Sequence, residues 1–178
     1  MDGVFTLIQM GVVTNKRKTL HPGKSVATFA IGSKAMYQYM DHNPAVAIMR
    51  GRYVNDPYVI AKNYKMISVN TAIQVDILGQ VCSQSLGARQ FSGTGGQLDT
   101  HRGAQMSDGG RGIIALRSTA KNGTISTIVP TLAPGSGVTV PSQDVDTIVT
   151  EYGIATLKGL SVKNRMDCLL YTSDAADE

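Results

Sequence analysis

A single α/β domain is predicted by the length, the composition and the order of patterns along this sequence. The chain has 178 residues, of which 42% are hydrophobic and 17% are charged, proportions typical of a globular domain that buries a core. The length accommodates one domain, or one domain and part of a second. Helical patterns come early and short β-rich segments crowd the later part, an order that indicates an α/β domain and not an all-β barrel.

Three helices are predicted in the first part of the chain, over residues 1–10, 34–42 and 56–63. In the first helix, Val4 and Leu7 recur at helical spacing, and Gly11 is a suitable stop. The third helix begins with Asp56 as its cap and Pro57 in its first turn, which are the residue types favoured at those positions.

Short segments of apolar or β-branched residues predict the strands. They cover residues 25–31, 45–49, 66–69, 73–78, 112–116, 126–129, 138–140 and 147–150. Between Ile73 and Ile77, apolar and polar residues alternate, which predicts a sheet with one face towards water. Asp76, within this stretch, is expected to anchor a loop.

The basic balance of the chain has two interpretations. The net charge of +4 includes a run from Lys16 to Lys18, with His21 and Lys24 just behind it. The run could meet nucleic acid or another anionic ligand, but a solvated loop is the favoured interpretation. Aromatic residues do not interleave with the run, which argues against a base-stacking surface. No nucleic-acid partner is therefore expected.

The remaining composition argues against several classes of protein. The sequence contains neither an apolar run of membrane-spanning length nor a signal-peptide pattern. Cys82 and Cys168 do not have the spacing of a metal site or a disulfide framework. The three histidines, His21, His42 and His101, are scattered and predict no metal site. No membrane partner is expected. A reducing, cytoplasmic location is expected.

The segment from Phe91 to Ala104, F-S-G-T-G-G-Q-L-D-T-H-R-G-A, is rich in glycine. Gly93, Gly95 and Gly96 permit unusual backbone angles and a close approach of a ligand to the main chain. Such a loop can direct N–H groups at a phosphate or at an oxyanion that forms during a reaction. A plain turn is the alternative interpretation.

Seven stretches, in order, resemble the C-terminal half of the acetyl-CoA hydrolase/transferase family, which includes 4-hydroxybutyrate and butyrate CoA-transferases. The stretches are T-N-K-R-K-T-L-H-P-G-K (14–24), Y-V-N-D-P-Y-V-I-A (53–61), S-V-N-T-A-I-Q-V-D-I-L-G-Q-V (68–81), S-G-T-G-G-Q-L-D (92–99), S-T-A-K-N-G-T-I-S (118–126), I-V-P-T-L (128–132) and V-T-E-Y-G-I-A (149–155). The resemblance implies a Rossmann-like α/β domain, with a mixed sheet flanked by helices.

The resemblance also implies an activity. Coenzyme A would pass between an acyl-CoA and a short-chain carboxylate, such as acetate, butyrate or 4-hydroxybutyrate, through an enzyme glutamyl-CoA thioester. Coenzyme A is then a substrate, and no further cofactor is expected. Gly96, and after it Gly95, are the implied N–H donors to the oxyanion. An acetyl-CoA hydrolase, or a non-catalytic module that binds CoA or another phosphorylated ligand, is the alternative.

Four further residues are expected to contact coenzyme A: Asn55, Gly93, Gln97 and Lys121. Asn55 matches a family position that meets the pantetheine, whose amides suit a side chain that both donates and accepts. The alternative is that Asn55 only caps the following helix. Glu151 occupies a family-typical position and is expected to be structural.

The ends of the chain carry two expectations. The family's nucleophilic glutamate lies in a motif resembling E-M-x-S-D-G, and the chain begins Met1-Asp2-Gly3, inside that motif. Residues 1–167 are therefore expected to be a partial domain, inactive alone, whose partners are the N-terminal domain of the same enzyme and further copies in a homo-oligomer. Residues 168–178, C-L-L-Y-T-S-D-A-A-D-E, depart from the family and resemble translated sequencing-adapter DNA, so we expect a non-native tail; a genuine acidic tail is the alternative.

Several positions depart from the family pattern. Gln74 stands where many relatives have an acid, Thr100 replaces an aromatic residue, Arg117 a proline and Thr127 an arginine. Divergence and base-calling errors both explain such differences, and loss of an ion pair or a CoA contact is expected if Thr127 is genuine.

Overall fold

The computed structural model describes residues 1–173, which form six helices and thirteen short strands. The helices are α1 (Asp2–Gln9), α2 (Lys34–Met40), α3 (Gly51–Val54), α4 (Pro57–Ala61), α5 (Gln97–Met106) and α6 (Val162–Leu170). The strands are β1 (Ser25–Ala27), β2 (Val46–Ile48), β3 (Ile67–Asn70), β4 (Gln74–Asp76), β5 (Val81–Cys82), β6 (Ser85–Leu86), β7 (Arg89–Gln90), β8 (Arg111–Ala115), β9 (Thr119–Ala120), β10 (Ile125–Ser126), β11 (Ile128–Val129), β12 (Thr147–Val149) and β13 (Ile154–Thr156).

A four-stranded sheet, called the central sheet below, organises the domain. Its strand order is β13-β12-β8-β3. Strands β3, β8 and β12 are parallel, and β13 is antiparallel to β12. Helix α5 comes between β3 and β8 in the chain and packs against both, which is the arrangement that a parallel pair of strands needs. The predicted fold class, a mixed sheet with flanking helices, is thereby confirmed.

The core joins the central sheet to a second sheet of order β11-β4-β5. The buried residues of the core come from both sheets, from α6 and from the segments between these elements: Val75, Val81, Ile114, Ile128, Val140, Val145, Ile148, Ala155, Leu157 and Leu169. Burial of apolar area on this scale is the main force that stabilises a domain of this size. The remaining strands form the two-stranded pairs β1-β2, β9-β10 and β6-β7.

The prediction that β4 has one face towards water is wrong. Gln74, Val75 and Asp76 are all buried. The polar side chains are satisfied inside the protein: Gln74 Oε1 accepts from Ala133 N at 3.3 Å, and Asp76 accepts from the backbone N–H groups of Leu78 and Gln80. Alternation therefore reflects buried hydrogen bonding here, and the prediction that Asp76 anchors a loop is confirmed.

Other strands are shorter than predicted because each ends where its partner ends. The segment 25–31 is a strand only up to Ala27, where pairing with β2 stops. The segment 126–129 is divided, because β10 pairs with β9 whereas β11 pairs with β4. The segment 138–140 forms only an isolated bridge between Val81 and Val140, and Pro141, which follows, has no N–H to continue a ladder.

The predicted helices are present with small changes in length. The helix predicted over 34–42 ends at Met40, and the one predicted over 56–63 ends at Ala61. Asp56 accepts from Tyr58 N at 2.8 Å, so it caps α4 as predicted. No helix within residues 1–173 is long and apolar enough to cross a membrane.

The described part of the segment predicted to be a non-native tail is packed. Leu169 is fully buried in the core, and the carbonyl oxygen of Thr172 accepts from Thr150 Oγ1 at 2.7 Å. The rest of that segment, residues 174–178, lies outside the described residues.

Candidate functional site

The carboxyl ends of β3, β8 and β12 meet at one edge of the central sheet. In α/β sheets this edge is where ligands bind. Helix α5 begins there: Gln97 Nε2 in its first turn donates to the carbonyl oxygen of Thr71, just after β3, at 3.2 Å. The sheet thus places the start of α5, and the glycine loop before it, at the edge where α/β sheets bind ligands.

A hydroxyl network fixes the first turn of α5 against β3. Thr100 Oγ1 accepts from Ser68 Oγ at 3.1 Å and from Asn70 Nδ2 at 3.3 Å, and it donates to the carbonyl oxygen of Gln97 at 3.1 Å. Thr100 therefore connects the strand end to the helix start. The family pattern has an aromatic residue at the position of Thr100, so this hydroxyl is a departure from it.

Gly95 and Gly96 form the turn into α5. Gly95 has a φ of +59°, a left-handed conformation that favours glycine. Gly96 is the N-cap residue of α5 and has a φ of −97°. Within residues 1–173, neither backbone N–H has a hydrogen-bond acceptor. Two N–H groups at a helix N-terminus, where the helix dipole favours negative charge, can bind an anionic oxygen.

Asn55 lies directly against this turn. A Cβ atom on residue 96 would lie 2.5 Å from Asn55 Nδ2, so a larger residue at 96 would displace the Asn55 side chain. Asn55 follows the last residue of α3, and Asp56 caps α4 in its place. Asn55 is the C-cap residue of α3, and the alternative interpretation, that it caps the following helix, is wrong. Its amide is half-buried and has no hydrogen-bond partner in the part of the chain that the structure describes.

The other two predicted CoA contacts, Gly93 and Lys121, are exposed. Gly93 is exposed, and no atom lies within 4 Å of a Cβ placed there. Lys121 lies in the turn between β9 and β10, exposed and with a φ of +48°. The structure thus brings Asn55, Gly95, Gly96 and Gln97 together, whereas Lys121 is on a separate hairpin.

The packing of α5 depends on a buried histidine that sequence reasoning dismissed. His101 is fully buried, and its Nε2 accepts from the backbone N–H of Asp146 at 3.2 Å. A Cβ atom on Gly112, in β8, would lie 2.5 Å from its ring. Burial lowers the pKa of His101, with Asp146 and Asp144 opposing that shift. A histidine in the middle of an amphipathic helix gives no sequence signal for this role.

Glu151 joins the ends of β8 and β12. Its two carboxylate oxygens accept from Ser118 N at 2.8 Å and from Ser118 Oγ at 3.0 Å, and Arg117 Nε lies 4.0 Å away. Hydrogen bonds from its own backbone N–H and from that of Ser118 hold the pKa of Glu151 below its ordinary value. These bonds match the structural role expected for Glu151.

The unusual residues Gln74 and Thr127 both have hydrogen-bond partners. Thr127 Oγ1 donates to the carbonyl oxygen of Arg117 at 2.6 Å, beside the bond from Thr127 N to the carbonyl oxygen of Ser118 at 2.8 Å. Gln74 binds Ala133 as described above. Both residues therefore suit the fold. Among residues 1–173, no cluster of His, Cys, Asp and Glu could hold a metal ion.

Comparison with known proteins places this chain in a family. The chain is 51% identical over 169 residues to 4-hydroxybutyrate coenzyme A transferase from Clostridium kluyveri, covering 95% of this chain and 39% of that protein. It is 51% identical over 164 residues to succinyl-CoA:cyclohexane-1-carboxylate CoA transferase from Geobacter metallireducens, covering 92% of this chain and 38% of that protein.

Solved structures agree with the fold. RipA from Yersinia pestis has a TM-score of 0.91 and 45% identity, covering 98% of this chain and 39% of that one. The 4-hydroxybutyrate CoA-transferase from Porphyromonas gingivalis has a TM-score of 0.83 and 38% identity, covering 98% of this chain and 40% of that one. The chain therefore spans well under half the length of the relatives that it matches. The acetyl-CoA hydrolase/transferase C-terminal domain matches residues 32–177, and this chain belongs to that family.

Proposed function

We propose that this domain supplies the oxyanion donors and a CoA contact of a CoA-transferase that acts on short-chain acyl groups. The observation that carries the proposal is the contact between Asn55 and Gly96 at the carboxyl edge of the central sheet. One side chain can bind the amides of pantetheine, and the adjacent N–H groups can bind the thioester oxygen. The names of the related transferases support the same reaction class.

The proposed reaction begins when a glutamate carboxylate attacks the carbonyl carbon of the acyl-CoA thioester. The carbonyl oxygen becomes an oxyanion, which the N–H groups of Gly96 and Gly95 stabilise. The C–S bond of this tetrahedral intermediate then breaks. CoA leaves as a thiolate, and an acyl-glutamyl anhydride remains. The thiolate attacks the glutamyl carbonyl and displaces the acyl carboxylate, which gives the glutamyl-CoA thioester. An incoming carboxylate then attacks the glutamyl-CoA thioester. The same steps in reverse release that carboxylate as its CoA thioester and free the glutamate.

The attacking carboxylate is not Glu151 in this proposal. Glu151 is the only glutamate among residues 1–173, and its oxygens are both occupied by Ser118. The chain alone, incubated with butyryl-CoA, should therefore show no covalent CoA adduct by intact-mass spectrometry. An adduct that disappears in Glu151→Gln would contradict the proposal.

Transfer itself can be tested in a hybrid enzyme. The chain is joined to the N-terminal part of the Clostridium kluyveri transferase, including its glutamate, and CoA exchange from butyryl-CoA to acetate is measured. Replacing the Gly96 amide by an ester, which removes the N–H group and adds no Cβ, should lower kcat by about 10²-fold, the effect of losing one oxyanion donor. Hybrid activity unchanged by the ester replacement would rule out the assigned role.

Hydrolysis is the second candidate reaction. The chain is 30% identical over 141 residues to acetyl-CoA hydrolase from Candida albicans, covering 78% of this chain and 26% of that protein. Water would then take the acyl group in place of a carboxylate. CoA release from the hybrid without added acetate, at the rate found with acetate, would favour the hydrolase.

A further inference from the structure

Two side chains of α5 bind one residue of the segment 144–146, which precedes β12. Arg102 donates from Nε to Asp144 Oδ1 at 2.8 Å and from Nη2 to Asp144 Oδ2 at 2.7 Å. Gln105 Nε2 donates to the carbonyl oxygen of Asp144. Two parallel hydrogen bonds between a guanidinium and a carboxylate fix the direction of the pair as well as its distance. This part of α5 therefore has a defined position along the segment.

The segment 144–146 is itself held by three other parts of the domain. Asp146 Oδ2 accepts from Gly112 N in β8 at 2.9 Å. The carbonyl oxygen of Asp146 accepts from Leu157 N, just after β13, at 2.7 Å. Its backbone N–H donates to His101 Nε2 of α5 at 3.2 Å. The segment is thus a fixed point to which α5 is attached.

The ion pair of α5 and the glycine turn lie on opposite sides of Thr100. The hydroxyl of Thr100 attaches the first turn of the helix to β3, and a helix attached to the sheet only there could pivot about that point. Gly96 lies four residues before Thr100, about 6 Å at the rise of an α-helix. Arg102 lies two residues after it, so its bond to Asp144 opposes a rotation that would move Gly96.

Such a rotation matters for the N–H groups that we assign to the oxyanion. Donors of this kind must lie about 3 Å from the oxygen that becomes charged, and a displacement of about 1 Å can lower a rate about 10²-fold. The ion pair itself is open to solvent, because the Arg102 side chain is 45% exposed. Surface ion pairs contribute little to stability, so an effect on the turn can be separated from unfolding.

We propose that Arg102 and Asp144 are positioning residues for the oxyanion donors of this domain. Their ion pair sets the direction of α5, and with it the direction of the N–H groups of Gly95 and Gly96. The pair acts through the helix and not by contact with a substrate. This inference rests on the proposed function, which assigns the oxyanion to those N–H groups, and it adds the residues that hold them in place.

Residual dipolar couplings of the full chain measure this direction without any reaction. In Asp144→Asn the new amide nitrogen cannot accept from Arg102, so the N–H of Gly96 should turn by about 10° or more relative to β8, the tolerance of a preorganised site. The midpoint of urea denaturation should change little. An unchanged direction of the N–H bond would overturn the inference.

Arg111→Gln is the matched control for these measurements. Arg111 is exposed at the start of β8 and forms no ion pair with the rest of residues 1–173. Its replacement should leave the direction of the Gly96 N–H bond unchanged. A turn of equal size in Arg111→Gln and in Asp144→Asn would overturn the inference, because the effect would then not be specific to the pair.

Kinetics of the hybrid enzyme test the consequence for the rate. Asp144→Asn should lower kcat about tenfold or more and leave the KM for butyryl-CoA nearly unchanged, because the oxyanion exists only beyond the ground state. Arg102→Lys, which keeps the charge but cannot form two parallel bonds, should lower kcat by a similar factor. The exchange Arg102→Asp/Asp144→Arg should recover most of the activity lost in Arg102→Asp. Wild-type kcat in Asp144→Asn or in Arg102→Lys would overturn the inference.

The ester replacement at Gly96 separates positioning from a general structural role. If the pair acts through the Gly96 N–H, Asp144→Asn should lower kcat by a much smaller factor once that N–H is absent. An equal factor with and without the N–H would overturn the inference. Failure of the proposed function gives a different result, since the ester replacement alone would then leave kcat unchanged. The dipolar couplings would still decide whether Arg102 and Asp144 direct the turn.

Discussion

The side-chain amide of Asn55 and the Cα of Gly96 are in contact, so close that a Cβ atom at residue 96 would lie 2.5 Å from Asn55 Nδ2 and 2.9 Å from its Cγ. The two residues come from different parts of the chain, one after α3 and one before α5. Helix packing brings them together: on Gly103 of α5, a Cβ would lie 2.6 Å from Ile60 of α4, so the two helices approach closely. Any change at residue 96 therefore also displaces Asn55.

Gly96→Ala is expected to weaken CoA binding by moving the Asn55 amide, with little loss of stability, because that amide is the end of a side chain able to rotate. Asn55→Ala should weaken binding by a similar factor. The double variant should lose little more CoA affinity than either single variant, because the effects of substitutions at two contacting residues do not add. Titration calorimetry of the wild type and the three variants with CoA gives a double-mutant cycle. Additive losses of affinity would show that the two residues act independently.

Thr100→Val should destabilise the domain by about 1–2 kcal/mol, because the buried Ser68 hydroxyl loses its hydrogen-bond acceptor, whereas Asn70 Nδ2 can still donate to Ser68 Oγ. Thr100→Ser, which keeps the hydroxyl, should recover most of that loss. Urea denaturation followed by circular dichroism measures both. Equal stability of the Val and Ser variants would mean that the methyl group, and not the network, matters.

Acidification is expected to destabilise the domain through His101. Burial lowers its pKa below the ordinary 6.5, so the unfolded chain takes up a proton at a higher pH than the folded chain. The contribution of neutral His101 to the free energy of unfolding is therefore fully present above about pH 6.5. It falls as the pH drops towards the folded-state pKa, by at most about 1.4 kcal/mol per pH unit.

His101→Gln, which can still accept from Asp146 N, should remove this slope between pH 7.5 and pH 5. Urea denaturation across that range provides the measurement. His42→Gln is the control, because the His42 side chain is 94% exposed and its loss should leave the slope in place. A slope that persists in His101→Gln would assign the effect to another group.

Asp76→Ala should destabilise the domain by about 3 kcal/mol or more, because the donors on Leu78 and Gln80 lose the buried carboxylate that accepts from all of them. The contacts are at 3.1 Å from Leu78 N, 2.8 Å from Gln80 N and 2.7 Å from Gln80 Nε2. Asp41→Ala, at an exposed position, should change stability by no more than about 0.5 kcal/mol. Thermal denaturation compares the two, and a similar small change in both would show that the turn after β4 does not need Asp76.

The sequence by itself was sufficient for the family, the fold class and several local features. The cap of α4 by Asp56 depends on neighbouring residues alone, and the glycine loop before α5 is visible as a composition. Short-range chemistry of this kind is encoded in adjacent positions, so it can be recognised without knowing what packs nearby.

Only the tertiary structure decided where strands end, which polar residues are buried and which residues meet. β4 alternates like a half-exposed strand, yet both of its polar residues are buried. Gln74 is satisfied by the distant backbone N–H of Ala133, and Asp76 by the turn that follows it. His101 gains its role from Gly112 and Asp146, and Asn55 from Gly96, all at long separations along the chain. Such contacts depend on how helices and sheets pack in three dimensions, and the order of residues in one chain does not express that packing directly.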